Sequence, residues 1–476
     1  MAKRKSTKPD AGAATEGPPP MAYLDPPSPG DGNGDSQPVT TGRFIVILKD
    51  GADRSTAAVK KTMNDLAGIE SMASSSDYVA MAAAEDDYGG ADAFHFESLG
   101  IVVVDHHPEA MAELASSSAG AESTILAVEP EYYCYPSNLL TDRGADYLRG
   151  YRDAIGDLYA RLAGGDEAME AEALAAAITN NPEFTWGLQA TRVNTSRLSG
   201  QGIKVAILDT GFDVSHPDFR NREVVHRAFV AGTTIEDRNG HGTHCIGTAC
   251  GSLRPAGGVR RYGVAHGATI FAGKVFNNNR RPGAPTGAVV EGIEWAMQNG
   301  CRIASLSLGA PVDQQIRQYS TPIRRALEGG LLVVAAAGNN ANRRGMPGFD
   351  RREPATFGFV EPPANADHAM AVAAVDAQLR IASFSARSST IAGEGGKVNV
   401  AGPGVDVFSS FPIGRGTHGS ISGTSMATPH VAGIAALWAE ATGDAGQALW
   451  NRLTTSARAM SLPSSDVGVG LVQAPQ

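Results

Sequence analysis

Between Thr62 and Thr141 the chain contains no lysine and no arginine, while aspartate and glutamate recur throughout. Residues 43–137 carry 5 basic and 16 acidic side chains, a net −11 against −10 for the whole chain, so the imbalance belongs to one segment. The remainder is nearly neutral and offers no basic stripe for phosphate, which argues against nucleic acid as a partner. Cysteine is scarce: Cys134, Cys245, Cys250 and Cys301, in 476 residues, form neither a disulfide framework nor a CxxC metal spacing. No apolar run reaches the length of a membrane span, so no membrane contact is expected. The basic start, MAKRKSTKPD, is followed by no apolar block, so no Sec-type signal peptide is read. Compartment is left open between the cytoplasm, export by another route, and secretion from a different start.

What is present suffices for a large core, since 42% of the 49.4 kDa chain is hydrophobic. Residues 1–41, rich in Pro, Gly, Ser and Asp, read as a disordered tail. Strands are expected at Phe44–Leu48, Ser98–Asp105 and Ser123–Pro130, with helices at Ala57–Leu66 and Pro108–Leu114 and a polar insertion between. Residues 42–137 thus form a small α+β sandwich. Over residues 138–184 the apolar side chains Leu148, Tyr151, Ile155, Leu158 and Leu162 step by three and four, and Gly164-Gly165 breaks the pattern. This is a helical hairpin, read as a linker, with a partner-binding hairpin as the alternative.

From residue 185 to 476 short apolar strands alternate with helical patterns. The strands are Lys204–Leu208, Ile270–Val275, Ile303–Leu308, Leu331–Ala336 and Met370–Ala374; the helices are His241–Ala249, Gly287–Asn299 and Arg317–Glu328. Strands that are almost wholly apolar are buried on both faces, so the fold class is α/β, a doubly wound, mostly parallel sheet with helices on both sides. Ligands in such sheets bind beyond the carboxyl ends of the strands, where Asp209, Ser307 and Asn339 fall.

Ser425, in SISGTSMATPHVAG, opens a nearly all-apolar helix, whose unpaired N–H groups and dipole favour an oxyanion. Taken alone it is equally a helix cap before a core helix. KVAILDTG ends a strand in Asp209, HGTHCIGT opens a helix with His241, and LLVVAAAGNN ends a strand in Asn339. Acyl transfer needs a nucleophile, a base of near-neutral pKa, a carboxylate to orient that base, and oxyanion donors. Ser425, His241, Asp209, and Asn339 with the Ser425 N–H fill those roles. The order Asp, His, Ser is that of subtilisin.

The segment from about Trp186 to Ala474 resembles the subtilisin-like serine proteases, and residues 43–137 resemble the inhibitory propeptide that precedes them. The likeness extends through GVAHGATIFAGKVF, GIEWAMQNG, ASLSLGAP, AVAAVDAQLRIASFS and VAGPGVDVFSS. It implies a serine endopeptidase made as a self-processed zymogen, acting on polypeptides and held by its own propeptide as intramolecular inhibitor. AVEPEYYCYPSN would lie in the cleft, with the cut between about Ser137 and Thr141. Ser307, Leu308, Gly309, Ala336, Ala337 and Gly338 would line the specificity pocket, Ala364 its floor, and residues 342–362 read as an insertion. Alternatives are a processing protease with one client and a catalytically silent scaffold. No cofactor is required; calcium is possible, but the loop GSLRPAGGVRRYG lacks Asn and Asp and leaves Asp218 as the one retained ligand, so no metal residue is assigned. Cys245, one helical turn after His241, resembles the thiol-bearing proteinase K group, with a plain buried hydrophobe as the alternative. The Arg-Arg pairs, including Arg260-Arg261 and Arg324-Arg325, are candidates for attraction to the acidic propeptide, with solvated arginines unrelated to it as the alternative, and His95, His106 and His107 are candidate pH sensors, with idle surface histidines as the alternative.

Overall fold

A computed structural model describes residues 39–77, 90–118, 120, 123–136, 178–279, 282–310, 316–341, 358–388 and 396–476. The tail up to residue 38, most of the hairpin (137–177) and the insertion over 342–357 fall outside the described residues.

The N-terminal body consists of β1 (Thr40–Leu48), α1 (Thr56–Ala67), β2 (Met72–Ser74), β3 (Ala93–Phe96), β4 (Ile101–Val104), α2 (Pro108–Ser117) and β5 (Ile125–Pro136). β1 lies between β4 and β5, antiparallel to both, and β3 and then β2 extend the sheet. Strand alternation divides the side chains between two faces. Val46, Leu48, Val102 and Val104 pack under α1 and α2 with Val59, Met63 and Leu114. Ile45, Ile47, Phe94, Phe96, Ile101 and Val103 join instead a cluster shared with Val289, Ile293, Tyr319 and Ile323 of the C-terminal body. The open face of the sandwich is therefore covered by the rest of the chain. Two features differ from expectation: β1 begins inside the segment read as tail, and β2 and β3 lie within the stretch read as a polar insertion. Strands of three and four residues containing Ser and His are too short to register as apolar runs.

The C-terminal body runs through α3 (Trp186–Ala190), β6 (Lys204–Asp209), β7 (Val224–Ala228), α4 (His241–Cys250), β8 (Thr269–Lys274), β9 (Ala284–Pro285), α5 (Thr286–Gln298), β10 (Ile303–Leu306) and β11 (Leu308–Gly309). It continues with α6 (Arg317–Glu328), β12 (Leu332–Ala336), β13 (Met370–Val375), β14 (Val400–Pro403), β15 (Val407–Ser410), β16 (His418–Ile421), α7 (Thr424–Thr442), α8 (Gly446–Ser456) and α9 (Ser464–Val467). Seven parallel strands form its sheet in the order β14-β13-β12-β10-β6-β8-β7. The order turns back beside β6, which opens a crevice at the carboxyl ends of β6 and β10. Every residue of β10, β12 and β13 is buried, as the unbroken apolar runs require. The edge strands β7 and β14 were not legible, because VVHRA is half-exposed and VAGP contains Gly and Pro. The end of the linker belongs to this body: Phe184 bridges Arg261, and Asn180 Oδ1 accepts from Trp186 N at 2.8 Å.

Candidate active site

Asp209 is the last residue of β6 and His241 the first of α4, and both are buried. His241 Nδ1 donates to Asp209 Oδ1 at 2.7 Å; because an ionised carboxylate only accepts, this contact fixes the tautomer with the proton on Nδ1. Asp209 Oδ1 also accepts from Thr210 N at 2.7 Å. Two backbone requirements bring the pair together. Gly240, with φ 96°, turns the chain into α4. A Cβ on Gly242 would stand 2.2 Å from Gly211 O, so only glycine lets the helix approach the loop after β6 this closely.

Sequence reasoning missed Asp237, which anchors this corner. Its Oδ1 accepts from Gly240 N at 2.8 Å and Thr210 Oγ1 at 2.9 Å, and its Oδ2 from Thr243 N at 2.8 Å and Oγ1 at 2.7 Å. A carboxylate thus caps the first turn of α4 and ties it to the residue after Asp209. An acidic residue four positions before the histidine, in DRNGHGTH, is the signal that could have found it.

Ser425 is the second residue of α7 and is fully buried. Pro429, four residues on, has no N–H, so it cannot bond the Ser425 carbonyl in the helical manner. That carbonyl accepts instead from Ser307 Oγ at 2.9 Å and the Cys245 thiol at 3.6 Å, while Ser425 Oγ donates to Ser307 O at 3.1 Å. Cys245 Sγ also lies 3.9 Å from His241 Nδ1, so the helices bearing His241 and Ser425 meet at one thiol. Burial, followed by the charge of Asp209, pushes this thiol well above the ordinary cysteine pKa, which keeps it a protonated donor. Its role here is packing and hydrogen bonding. His241 Nε2, the nitrogen opposite the Asp209 contact, is buried and has no hydrogen-bond partner among the described residues.

Asn339 follows β12, and its Oδ1 accepts from Thr424 N and Thr424 Oγ1, both at 3.0 Å. Two donors on that oxygen set the orientation of the amide, with Nδ2 at its other end. Thr424 Oγ1 in turn accepts from Gly338 N at 3.2 Å. Ser307 and Gly338 therefore both connect directly to the residues opening α7. Glu361 and Pro362 connect the segments that follow β12 and β11, and Ala364, buried, packs in the same apolar cluster as Ala310 and Ala337. Glu361 N donates to Ala337 O at 2.9 Å and Ala310 N to Pro362 O at 2.9 Å.

β5 lies in the cleft. Pro136 and Tyr135 pair antiparallel with Leu308 and Gly309 of β11, and Cys134 and Tyr133 pair with Ala284 and Pro285 of β9. An extended segment here is held by main-chain bonds on both edges, as β-strand addition requires. Upstream, Glu131 Oε1 accepts from Gly287 N at 2.7 Å at the start of α5, and Glu129 Oε2 accepts from Gln318 N at 3.2 Å at the start of α6. Arg43 pairs with the buried Glu131 at 2.7 Å. At the far end of α6, Arg325 donates to the carbonyls of Leu48, Leu99 and Gly100, and Arg324 pairs with Asp50 at 2.7 Å. Of the described arginine pairs, this one meets the acidic segment, whereas Arg260 and Arg261 bond carbonyls of Asn181, Gly263 and Val264 within the C-terminal body.

Two groups of described residues bring three potential metal ligands within 4.8 Å: Asp209 with His241 and Cys245, and His216 with Asp218 and His418. In the second, protein donors occupy both oxygens of Asp218. Oδ1 accepts from Ala256 N at 2.6 Å, and Oδ2 from Tyr262 OH and from His418 Nε2 at 2.8 Å. A separate groove, lined by residues including Ile178, Trp438, Arg458 and Gln476, shares no residue with the site around Ser425.

The subtilase family model matches residues 200–470. Subtilisin DY of Bacillus licheniformis is 39% identical over 252 residues, covering 52% of this chain and 81% of the relative. Thermitase of Thermoactinomyces vulgaris is 38% identical over 242 residues, 50% of this chain and 76% of the relative. The thermostable alkaline protease of Halalkalibacterium halodurans is 34% identical over 340 residues, 69% of this chain and 84% of the relative.

Proposed function

The chain belongs to the subtilase family and is a subtilisin-like serine endopeptidase acting on polypeptides; on that premise we propose that Ser425, His241 and Asp209 perform the hydrolysis and that residues 42–137 are a propeptide removed by self-cleavage. His241 Nε2 takes the proton of Ser425 Oγ as the hydroxyl attacks the peptide carbonyl. Asp209 holds the ring in its tautomer and balances the imidazolium that forms. The Ser425 N–H and the Asn339 amide receive the oxyanion. Collapse releases the amine with the proton from His241, and water, activated by the same imidazole, hydrolyses the acyl-enzyme. The mechanism follows the subtilisin template; the observation that supports it in this chain is the meeting of Asp209, His241 and Ser425 around Cys245 and Ser307.

The zymogen reading rests on β5, whose residues 133–136 occupy both edges of the cleft as a peptide would. Two carboxylates of the same strand cap α5 and α6, so the segment is anchored before it reaches the cleft. No metal ion enters this mechanism. Intact-mass analysis of wild type beside Ser425→Ala tests the whole proposal. The expected result is a wild-type chain cut between Ser137 and Thr141 and a variant that stays whole; a variant cut at the same bond would overturn self-processing.

A further inference from the structure

At the cleft end of β5, Tyr132, Tyr133, Tyr135 and Pro136 are each partly exposed, whereas Cys134 is 0% exposed. Cys134 stands opposite Ala284 of β9 and packs in one apolar cluster with Ala284, Leu308 and Tyr319. The hole it fills belongs to the C-terminal body and ends in a buried hydroxyl, that of Tyr319, 3.1 Å from Cys134 Sγ. The direction of this contact follows from its neighbours. Thr286 Oγ1 donates its single proton to Tyr132 O at 3.1 Å, so towards the Tyr319 hydroxyl, 3.2 Å away, it can only accept. Tyr319 therefore donates to Thr286, and the Tyr319 oxygen accepts from the Cys134 thiol. Burial pushes the Cys134 thiol up to about 12 and the Tyr319 phenol well above its ordinary value, so both stay protonated.

This relay starts from a main-chain carbonyl, Tyr132 O, and a polypeptide of any sequence lying along β9 and β11 as β5 does brings the same carbonyl to Thr286. The acceptor at the bottom of the hole is therefore set by the C-terminal body and not by the side chain that enters. We propose that Tyr319 and Thr286 make this hole a specificity pocket for the substrate residue paired with Ala284, two before the residue paired with Leu308, and that it selects a small side chain with a proton to donate, serine or cysteine. The inference deepens the proposed function and rests on its reading that β5 lies where substrate lies. Alanine in that place leaves a buried hydroxyl oxygen with an unused acceptor, a loss that the remaining apolar contacts do not make good. Leucine or phenylalanine extends beyond the γ position, where the Tyr319 oxygen already stands in contact, so the ring has to move. The pocket thus discriminates on both sides, by a hydrogen bond against alanine and by size against the large apolar residues.

Peptides with the sequence of β5, ILAVEPEYYCYP, end upstream of the proposed cut and, changed only at the position of Cys134, test the assignment as competitive inhibitors of the self-processed enzyme under reducing conditions. The cysteine and serine peptides should bind about fivefold more tightly than the alanine peptide. They should bind about 10- to 100-fold more tightly than the leucine and phenylalanine peptides. Tyr319→Phe should bring serine and alanine to within about twofold of each other and ease the penalty on leucine, because the oxygen in its way is gone. Ratios of inhibition constants within one enzyme cancel any general loss of activity, and the wild-type ratios stand even if Tyr319→Phe fails to fold. Tightest binding by leucine or phenylalanine in wild type, or a serine-to-alanine ratio unchanged in Tyr319→Phe, would overturn the inference. If no peptide of the series inhibits a wild type that still cleaves an unstructured protein, the reading of β5 as a substrate-like strand fails, and the pocket assignment with it. Failure of wild type to cleave any polypeptide or to label with a fluorophosphonate would instead remove the catalytic reading on which both depend.

Discussion

The two bodies of this chain bury their apolar residues in different ways. In the C-terminal body a parallel sheet is covered on both faces, and whole strands such as LVVAA and MAVAAV have no exposed residue. In the N-terminal body α1 and α2 cover one face of the sheet, and the other face is completed by α5 and α6 of the C-terminal body. The first carries its own core. The second shares half of its core with the body it packs against and supplements it with charged contacts, Glu131 and Glu129 at helix starts and Asp50 at the Arg324-Arg325 pair. A body completed in this way draws much of its stability from the one it packs against, as the proposed propeptide role requires.

Variants can sharpen or break that contrast. The largest effect belongs to the C-terminal body: Asn339→Ala should lower kcat by on the order of 10²–10³, a figure carried over from subtilisin, with a smaller change in KM. Single-turnover kinetics would check it, and an unchanged kcat would remove Asn339 from the oxyanion site. The next effect falls at the seam. Glu131→Ala takes the cap from α5 and breaks the ion pair with Arg43, which should raise opening of the N-terminal body about 10- to 100-fold. Hydrogen exchange of β1 in full-length Ser425→Ala reads this directly, and unchanged protection would mean that the shared apolar face alone holds the complex.

A third variant concerns acid. His95, in β3, is fully buried and neither ring nitrogen has a hydrogen-bond partner among the described residues. Burial lowers its pKa to about 4, with Glu97 opposing and Arg54 adding to the shift. The unfolded segment has the ordinary value of 6.5, so the contribution of neutral His95 is complete above that pH. As pH falls from 6.5 towards 4 the unfolded form takes up a proton that the folded form refuses, and opening should rise by up to about tenfold per pH unit. His95→Leu should flatten this part of the profile, and an unaltered slope would assign the acid response to other groups. The smallest effect is expected from Asp50→Asn, because Asp50 is largely exposed. Opening should change only a few-fold, and less at high salt; a large, salt-independent change would show that the arginine pair acts through packing.

Legibility followed local pattern. The strand ending in Asp209, the strand leading to Asn339, the helices that begin at His241 and beside Ser425, and the range Arg317–Glu328 could be read because unbroken apolar runs and helix periods are properties of short stretches. β2, β3, β7 and β14 escaped because short or edge strands tolerate Ser, His, Arg, Gly and Pro. Asp237 was missed because its task, joining Thr210 to the start of α4, exists only between segments distant in the chain.

From the amino-acid order alone follow the α/β class, the chain order of the candidate triad and the acidic character of the segment before it, since each depends on residue type and spacing. Tertiary structure decided that the Ser425 carbonyl, released by Pro429, is taken up by Ser307 and Cys245. It also decided that β5 runs between β9 and β11, and that Glu361 and Pro362 bond to Ala337 and Ala310. These are contacts between segments tens to hundreds of residues apart, and their partners are chosen by the packing of the whole chain rather than by any stretch of it.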